Sequence, residues 1–148
     1  PQRVLSVTNS LFSQHIEETA VIVADFGKAK GYALESWLVP TYGKKRDLVV
    51  VGSEKSAMID YLNPEELRLF DAKLVTDEGI PQRAEDKGED TISIPYAEPL
   101  KEELKHFVSC VNSRQKPLTD GLVGQRGVVM AEAALKSAKT NKVIEFKS

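Results

Sequence analysis

Apolar and polar residues alternate along the first half of the chain, as is typical of β-strands with one buried face. Val, Ile, Leu and aromatic residues dominate these runs, and Gly, Pro, Asn or Lys bounds each of them. The short connections between runs indicate antiparallel neighbours. The pattern predicts six strands, at Val4–Phe12, Thr19–Phe26, Tyr32–Val39, Asp47–Val51, Ala57–Leu62 and Leu67–Leu74.

The segment that follows these strands is polar and charged. Thr76–Asp90 contains two glycines and a proline, and we expect a mobile loop without a motif. Whether such a loop acts as a lid is not decided by its sequence. Thr91–Ile94 is a candidate for a short strand.

The hydrophobic period changes to 3.6 residues after Pro99, which suits a first helical turn. A stripe that begins at Leu100 predicts one helix, and Lys116-Pro117 is expected to end it. Asp120 is a suitable N-cap for a second helix and Asn141 a suitable C-cap, before a last strand at Val143–Phe146. The predicted inner face of the second helix is Gly124, Gly127, Val128, Ala131, Ala134/Leu135 and Ala138.

Together these elements predict the α+β class: a mostly antiparallel, open-faced β-sheet with two helices packed on one face. A chain of 148 residues suits one domain with its own core, so we predict a single domain over 1–148. The chain begins at Pro1, without an initiator methionine, and enters strand-like sequence at once. We therefore expect it to be a piece of a longer protein.

Composition and charge argue against several classes of binding partner. The chain is 41% hydrophobic and 28% charged, with a formal net charge of −2, so we expect neither a nucleic acid nor an acidic membrane as partner. No apolar run approaches the roughly 20 residues that span a bilayer. The single cysteine, Cys110, excludes an intrachain disulfide and favours a reducing, cytoplasmic location.

The stretch GSEKS, Gly52–Ser56, lies directly behind an apolar strand and suggests a phosphate-binding loop. A P-loop needs a second glycine before Lys-Ser, because several backbone N–H groups must surround the phosphates. That glycine is missing here, and the residues that follow alternate like a strand. The stretch is therefore interpreted as the turn of a β-hairpin.

Three further patterns are interpreted as structural. Gly121, Gly124 and Gly127 lack the G-x-G spacing of a dinucleotide site and do not follow a strand, so close helix packing is favoured. His106 and Cys110 have a helical i, i+4 spacing that suits a metal or a thiolate–imidazole pair, but nothing completes either site, and packing at the edge of the stripe is favoured. His15 is expected in an exposed turn.

A cluster of aromatic and basic residues offers the best candidate for ligand binding. Trp37, the only tryptophan, is followed by Tyr42, Lys44 and Arg46 on a segment that contains a glycine. Solvated cations at a hairpin tip are the plain structural explanation. Aromatic rings beside cations also suit a sugar or an anionic, phosphate-bearing ligand.

The run from Ala33 to Leu62 resembles the C-terminal domain of the glucose–fructose oxidoreductase / inositol dehydrogenase (Gfo/Idh/MocA) family. It contains a strand with W-x-x-P, a basic residue, an apolar strand, a V-x-G turn and a strand that ends in Asp-Tyr. The second half is similar to the closing pattern of that family, through Leu104, Phe107, Pro117, Leu118, Asp120, Gly124, Glu132, Ala133, Ala134 and Ser137. The W-L-x-P and D-Y pairing is similar to the nucleotide-sugar 3-dehydrogenase branch.

The resemblance implies the substrate-binding and oligomerisation domain of an NAD(P)-dependent sugar or polyol dehydrogenase, inactive alone. NAD or NADP would be bound by an N-terminal Rossmann domain, and neither the glycine fingerprint nor the D-x-x-x-H-type catalytic motif occurs in these residues. We therefore predict no catalytic, cofactor-binding or metal-binding residue in this chain. Its partners would be that Rossmann domain, a sugar or polyol substrate, and further copies of the chain held through the sheet face. The substrate-binding candidates are Trp37, Tyr42, Lys44 and Arg46.

A second class of function is also compatible with the sequence. A free-standing module that binds a ligand or a protein, without redox chemistry, would have the same pattern of elements. A strand, a G-x-G-x-x-G motif and a helix encoded upstream of Pro1 would favour the dehydrogenase. A reading frame that starts at Pro1 would favour the module.

Overall fold

The computed structural model describes residues 1–38 and 43–146, and within these ranges the chain forms eight strands and two helices. All paired strands are antiparallel, which confirms the predicted α+β class. The elements are β1 Arg3–Asn9, β2 Thr19–Asp25, β3 Lys30–Ser36, β4 Asp47–Val51, β5 Ser56–Asp60, β6 Asn63–Asp77, β7 Ile80–Ser93, α1 Pro99–Ser113, α2 Gly121–Thr140 and β8 Ile144–Glu145.

The described strands form two four-stranded sheets, in the orders β3-β2-β1-β8 and β4-β5-β6-β7. The chain divides into two compact units, one made of Pro1–Val39 and His106–Ser148, the other of Pro40–Lys105. Each unit contains one of the sheets, and α1 passes from the second unit into the first at His106. That residues 1–148 form a single domain stays a prediction.

Helix α2 packs on the inner face of the first sheet through small side chains. Val4 on β1 and Ala133 and Ala134 on α2 form the buried cluster. Ser137 is fully buried, and its hydroxyl accepts a hydrogen bond from the Ser6 N–H at 3.0 Å and donates one to the Lys142 carbonyl at 2.7 Å. This one hydroxyl therefore joins the helix, the strand and the turn that ends the helix. Its position explains the E-A-A-x-x-S pattern of the sequence.

The predicted inner face of α2 is wrong in its first half. Ala134 is buried and Ala138 half-buried, as predicted, but Gly124 and Gly127 are exposed, with no described atom within 4 Å of a β-carbon built on either. The contacts with the first sheet lie in the second half of the helix, around the buried cluster. The glycines therefore do not serve close packing among the described residues.

The predicted start of α1 and both predicted ends of α2 are confirmed, while α1 ends at Ser113, before Lys116-Pro117. Pro99 is the first residue of α1. The Asp120 carboxylate accepts a hydrogen bond from the Val123 N–H at 3.0 Å and caps α2. Asn141 has the left-handed backbone of a C-cap, with a φ of 53°. The Asp120 side chain thus caps the start of α2, and the left-handed backbone of Asn141 ends it.

The outer face of the first sheet, opposite α2, is apolar. In the register of the three strands, Leu5 pairs with Val23 and Val23 with Tyr32, while Val7 pairs with Val21 and Val21 with Leu34. Paired residues point to the same side of a sheet. This outer face is therefore formed by Leu5, Val7, Val21, Val23, Tyr32 and Leu34, which are between 43% and 86% exposed.

The GSEKS stretch forms a hairpin, as predicted. Strands β4 and β5 pair in register from Asp47↔Asp60 to Val51↔Ser56, and the Gly52 N–H donates to the Lys55 carbonyl at 3.0 Å. A β-carbon at position 52 would lie 2.8 Å from that carbonyl oxygen. Gly52 is thus required by the close approach of two backbone segments.

The prediction of a loop at Thr76–Asp90 is wrong. These residues form the end of β6 and most of β7, joined by a turn in which Glu78 and Gly79 have φ values of 46° and 80°. Two positive φ values are typical of a type I′ hairpin turn, whose twist matches that of the strands. Apolar alternation is absent because most of this two-stranded ribbon is exposed on both faces.

Asp25 links the β2–β3 turn to the start of β1 at one end of the first sheet. Its carboxylate bonds Lys30, Arg3 and the Gly27 N–H, and these contacts, with Lys30 first, hold the pKa of Asp25 well below its usual range. A carboxyl whose pKa is lowered by folding stabilises the fold above its unfolded pKa. That contribution is lost as the pH falls towards the folded value.

We expect Gly52→Ala to destabilise the chain by about 1–3 kcal/mol, since the new methyl group must displace a backbone carbonyl. Gly127→Ala is the matched control. It replaces an exposed helical glycine in open space and is expected to stabilise by up to about 1 kcal/mol. Urea unfolding followed by circular dichroism measures both. Equal effects of the two substitutions would contradict this account of Gly52.

We expect Asp25→Asn to lower stability at pH 7 by a small amount, since the ion pairs are at the surface. The difference from the parent chain should shrink as the pH is lowered below about 4, the unfolded pKa of Asp. Urea unfolding at a series of pH values measures it. A difference that is the same at pH 3 and pH 7 would show that the carboxylate charge is not the cause.

Candidate functional site

Trp37 lies just after β3, and its side chain is 67% exposed. Its backbone N–H donates to the Glu18 carbonyl at 3.3 Å, and its indole N–H donates to the Glu17 carbonyl at 3.4 Å. The ring is therefore tethered at its polar edge while its faces remain accessible. An exposed indole held in this way suits stacking against a ligand.

The connection between β1 and β2 is organised by Glu18. This residue is only 2% exposed, and its carboxylate accepts hydrogen bonds from the N–H groups of Leu11, Phe12 and Ser13 at 2.5 to 3.0 Å. The Glu18 N–H in turn donates to the Asn9 carbonyl at 2.9 Å. Hydrogen bonds to Glu18 thus hold the segment from Asn9 to Glu18 as a closed loop, with the carboxylate at its centre.

The charge of Glu18 is retained in this buried position. Burial raises the pKa of Glu18, but the hydrogen bonds from the Phe12, Leu11 and Ser13 N–H groups together outweigh it and leave the pKa below its ordinary value. Backbone N–H groups that converge on one point form an anion-binding nest. Here the anion is a side chain of the protein itself.

Sequence reasoning missed Glu18. It lies in the run Glu17-Glu18 of ordinary composition, and neither spacing nor a neighbouring motif distinguishes the buried glutamate from the partly exposed one. His15 in the same connection is exposed, as predicted. The connection also carries Phe12, whose ring is 78% exposed.

The basic candidates belong to the second unit. Lys44 and Arg46 are exposed and lie between Gly43, with a φ of 69°, and the start of β4. The Arg46 carbonyl accepts a hydrogen bond from the Tyr61 N–H at 2.6 Å, so the backbone at Arg46 is anchored to the β5–β6 turn. Tyr42 lies outside the described residues.

His106 and Cys110 are packed together, which agrees with the structural interpretation. Cys110 is buried, and its Sγ lies 3.6 Å from His106 Nε2. The same ring nitrogen accepts a hydrogen bond from the Leu118 N–H at 3.1 Å, which ties α1 to the segment before α2. A shallow cavity beside this pair is lined by Phe107, Cys110, Val111, Arg114, Gln115 and Pro117.

The described residues do not form a metal or a dinucleotide site. Among residues 1–38 and 43–146, no three His, Cys, Asp or Glu side chains are grouped so that they hold a metal ion. The glycines in the first half of α2 follow a loop and not a strand, and this half of the helix is exposed, so these residues do not fit the pyrophosphate of a nicotinamide dinucleotide. Neither described helix is long and apolar enough to cross a membrane.

Comparison with solved structures identifies the fold. The aldose-aldose oxidoreductase of Caulobacter crescentus, crystallised with glycerol, matches 99% of this chain with a TM-score of 0.72 at 16% identity. The WlbA dehydrogenase of Bordetella pertussis, in complex with NADH and UDP-GlcNAcA, matches 99% with a TM-score of 0.67 at 16% identity. The UDP-N-acetylglucosamine 3-dehydrogenase GnnA of Acidithiobacillus ferrooxidans matches 91% with a TM-score of 0.67 at 16% identity.

The chain spans 41%, 39% and 38% of the lengths of these three proteins. No protein-family model and no curated protein matches its sequence. At such low identity the similarity establishes the fold. The fold that the sequence resemblance predicts is thereby confirmed: this chain has the fold of the matching part of these three proteins.

Proposed function

We propose that the chain is the C-terminal substrate-binding and oligomerisation domain of an NAD(P)-dependent sugar or polyol dehydrogenase. The observation that carries this proposal is the match of almost the whole chain to about 40% of proteins that include an aldose-aldose oxidoreductase and a UDP-N-acetylglucosamine 3-dehydrogenase. On this proposal the nicotinamide binds to a Rossmann domain outside residues 1–148. The chain itself supplies binding surface and no chemical step.

Trp37, Tyr42, Lys44 and Arg46 are proposed as the substrate-side residues. The exposed indole of Trp37 suits an apolar face of a sugar or a nucleotide base, and Tyr42 is proposed as a second aromatic contact with the substrate. Lys44 and Arg46 are exposed cations, and Arg46 is held at the backbone beside the second sheet. Their charges suit a phosphate or a carboxylate of the substrate. A nucleotide sugar or a sugar acid is therefore the proposed class of substrate.

The outer face of the first sheet is proposed as the surface that holds further copies of the chain. Six exposed apolar side chains in register form a continuous patch, and contiguous exposed apolar patches are typical of protein–protein interaction sites. A symmetric pair of such faces is self-complementary, because the same apolar rows meet on both sides. The cytoplasmic location of the protein stays a prediction.

We expect Arg46→Ala, in the protein that joins this chain to its Rossmann domain, to raise KM for an anionic substrate about tenfold or more. The reason is that a hydrogen bond to a charged group contributes roughly 1.5–3 kcal/mol to binding. kcat should change little, because the contact is equally present before and during the reaction. Steady-state kinetics with a nucleotide sugar and with a neutral sugar measure the effect.

Lys28→Ala is the control for this experiment, since Lys28 is an exposed cation on the β2–β3 turn, at the opposite end of that sheet from Trp37. Lys28→Ala should leave both KM and kcat unchanged. If Arg46→Ala also left KM and kcat untouched for the nucleotide sugar, the assignment of Arg46 to the substrate would fail.

We expect this chain to form a dimer or tetramer in solution, and Val21→Glu to shift it towards monomer. A charge in the middle of the outer face must be desolvated when the two faces meet. Light scattering after size-exclusion chromatography measures the mass. Leu118→Glu, at an 84% exposed position outside both sheets, should leave the mass unchanged. A parent chain that is strictly monomeric at micromolar concentration would remove the oligomer proposal.

A further inference from the structure

Glu18 connects two segments that each present an exposed aromatic ring. Its carboxylate holds the N–H groups of Leu11, Phe12 and Ser13, and its backbone carbonyl accepts the hydrogen bond from the Trp37 N–H. The Phe12 segment and the Trp37 segment therefore share one anchor. Both lie at the end of the first sheet where β1 and β3 stop and β2 begins.

The anchor requires a carboxylate and not merely a polar side chain. Three N–H donors point at one buried group, and an ionised carboxylate is an acceptor at both oxygens. Glutamine of the same shape would bring two N–H donors of its own against these donors. Burying a charge is unfavourable unless it is fully hydrogen-bonded. The saturation of Glu18 by backbone donors therefore explains how the charge is accommodated without a Lys or Arg partner among the described ion pairs.

We propose that Glu18 is a positioning residue for the substrate site: its buried carboxylate holds the Phe12 segment, its backbone carbonyl holds the Trp37 N–H, and the two segments form one rigid edge. Loss of the carboxylate loosens this edge while the β1–β2 ladder and its contacts with α2 persist. The functional part of the inference rests on the proposed function, which assigns Trp37 to the substrate. The structural part rests only on the contacts of Glu18.

The first experiment is amide hydrogen exchange on this chain with Glu18→Gln, an isosteric variant that removes the charge. We expect the Leu11, Phe12 and Ser13 amides to exchange about tenfold faster or more, since each loses a hydrogen bond to a charged group. The amides of Ser6 and Ile22 should keep their protection. Glu17→Gln, at the neighbouring and more accessible glutamate, is the matched control and should change none of these rates.

Two further variants distinguish the effect of losing the carboxylate charge from an effect on the fold as a whole. Glu18→Ala leaves the nest of N–H groups empty, and added formate should restore slow exchange at positions 11 to 13 by occupying it. Glu18→Asp keeps the charge on a shorter side chain and should restore part of the protection. The fluorescence anisotropy of Trp37, the only tryptophan, should fall in Glu18→Gln and return towards the parent value in Glu18→Asp.

Unchanged exchange at Leu11, Phe12 and Ser13 in Glu18→Gln would overturn the inference. So would a uniform loss of protection over β1 and β2, because Glu18 would then only support global stability. Formate that rescues Glu18→Ala at these three amides, with Ser6 unaffected throughout, would support it. These outcomes need no substrate.

Kinetics of the protein with its Rossmann domain test the functional part. Glu18→Gln and Trp37→Ala should both raise KM for the sugar substrate severalfold, with kcat and the KM for nicotinamide little changed. Lys28→Ala, at an exposed side chain on the β2–β3 turn at the opposite end of the first sheet, is the control and should leave these constants unchanged. If Trp37→Ala raised KM and Glu18→Gln did not, the positioning role would be wrong. If neither raised KM, the assignment of Trp37 in the proposed function would fail instead.

Discussion

The close contact between α2 and β1 is the constraint on which the first unit depends. Two alanines bring the helix near the strand, and the Ser137 hydroxyl then bonds the Ser6 N–H and the Lys142 carbonyl in a fully buried position. A larger side chain at any of these positions would push the helix away and leave the Ser6 N–H without its partner. The inner face of the sheet is therefore covered by one helix with little room for variation.

The opposite face has the reverse character. The same sheet that buries Val4 and Ala24 on its inner face directs six exposed apolar side chains outwards. The inner face of the first sheet is thus covered by α2, while its outer face is exposed. The end of this sheet that carries Trp37 and Glu18 is a third region, separate from both faces. Self-association and ligand binding are therefore proposed for different parts of the first sheet.

Local chemistry explains which features the sequence predicts. Alternation identifies most strands because one face is buried, and Asp120, Asn141 and Gly52 act through neighbouring backbone groups. The end of β6 and most of β7, residues 76–90, are not predicted as strands, because they are mostly exposed on both faces and therefore need no alternation. Glu18 escapes because its role depends on where three backbone N–H groups converge, and one glutamate resembles another in sequence. Most of the fold can thus be predicted from the sequence, while the role of Glu18 in the candidate site cannot.

The exposed ribbon has a consequence for how such a protein changes over evolutionary time. Beyond Ala72 and Asp86 its two strands pair mainly with each other and turn at Glu78–Gly79. Because side chains repeat every two residues, adding or deleting two residues on each strand preserves every pairing closer to the sheet. The length of this ribbon can therefore differ between relatives in steps of two residues on each strand, without any compensating substitution in the core.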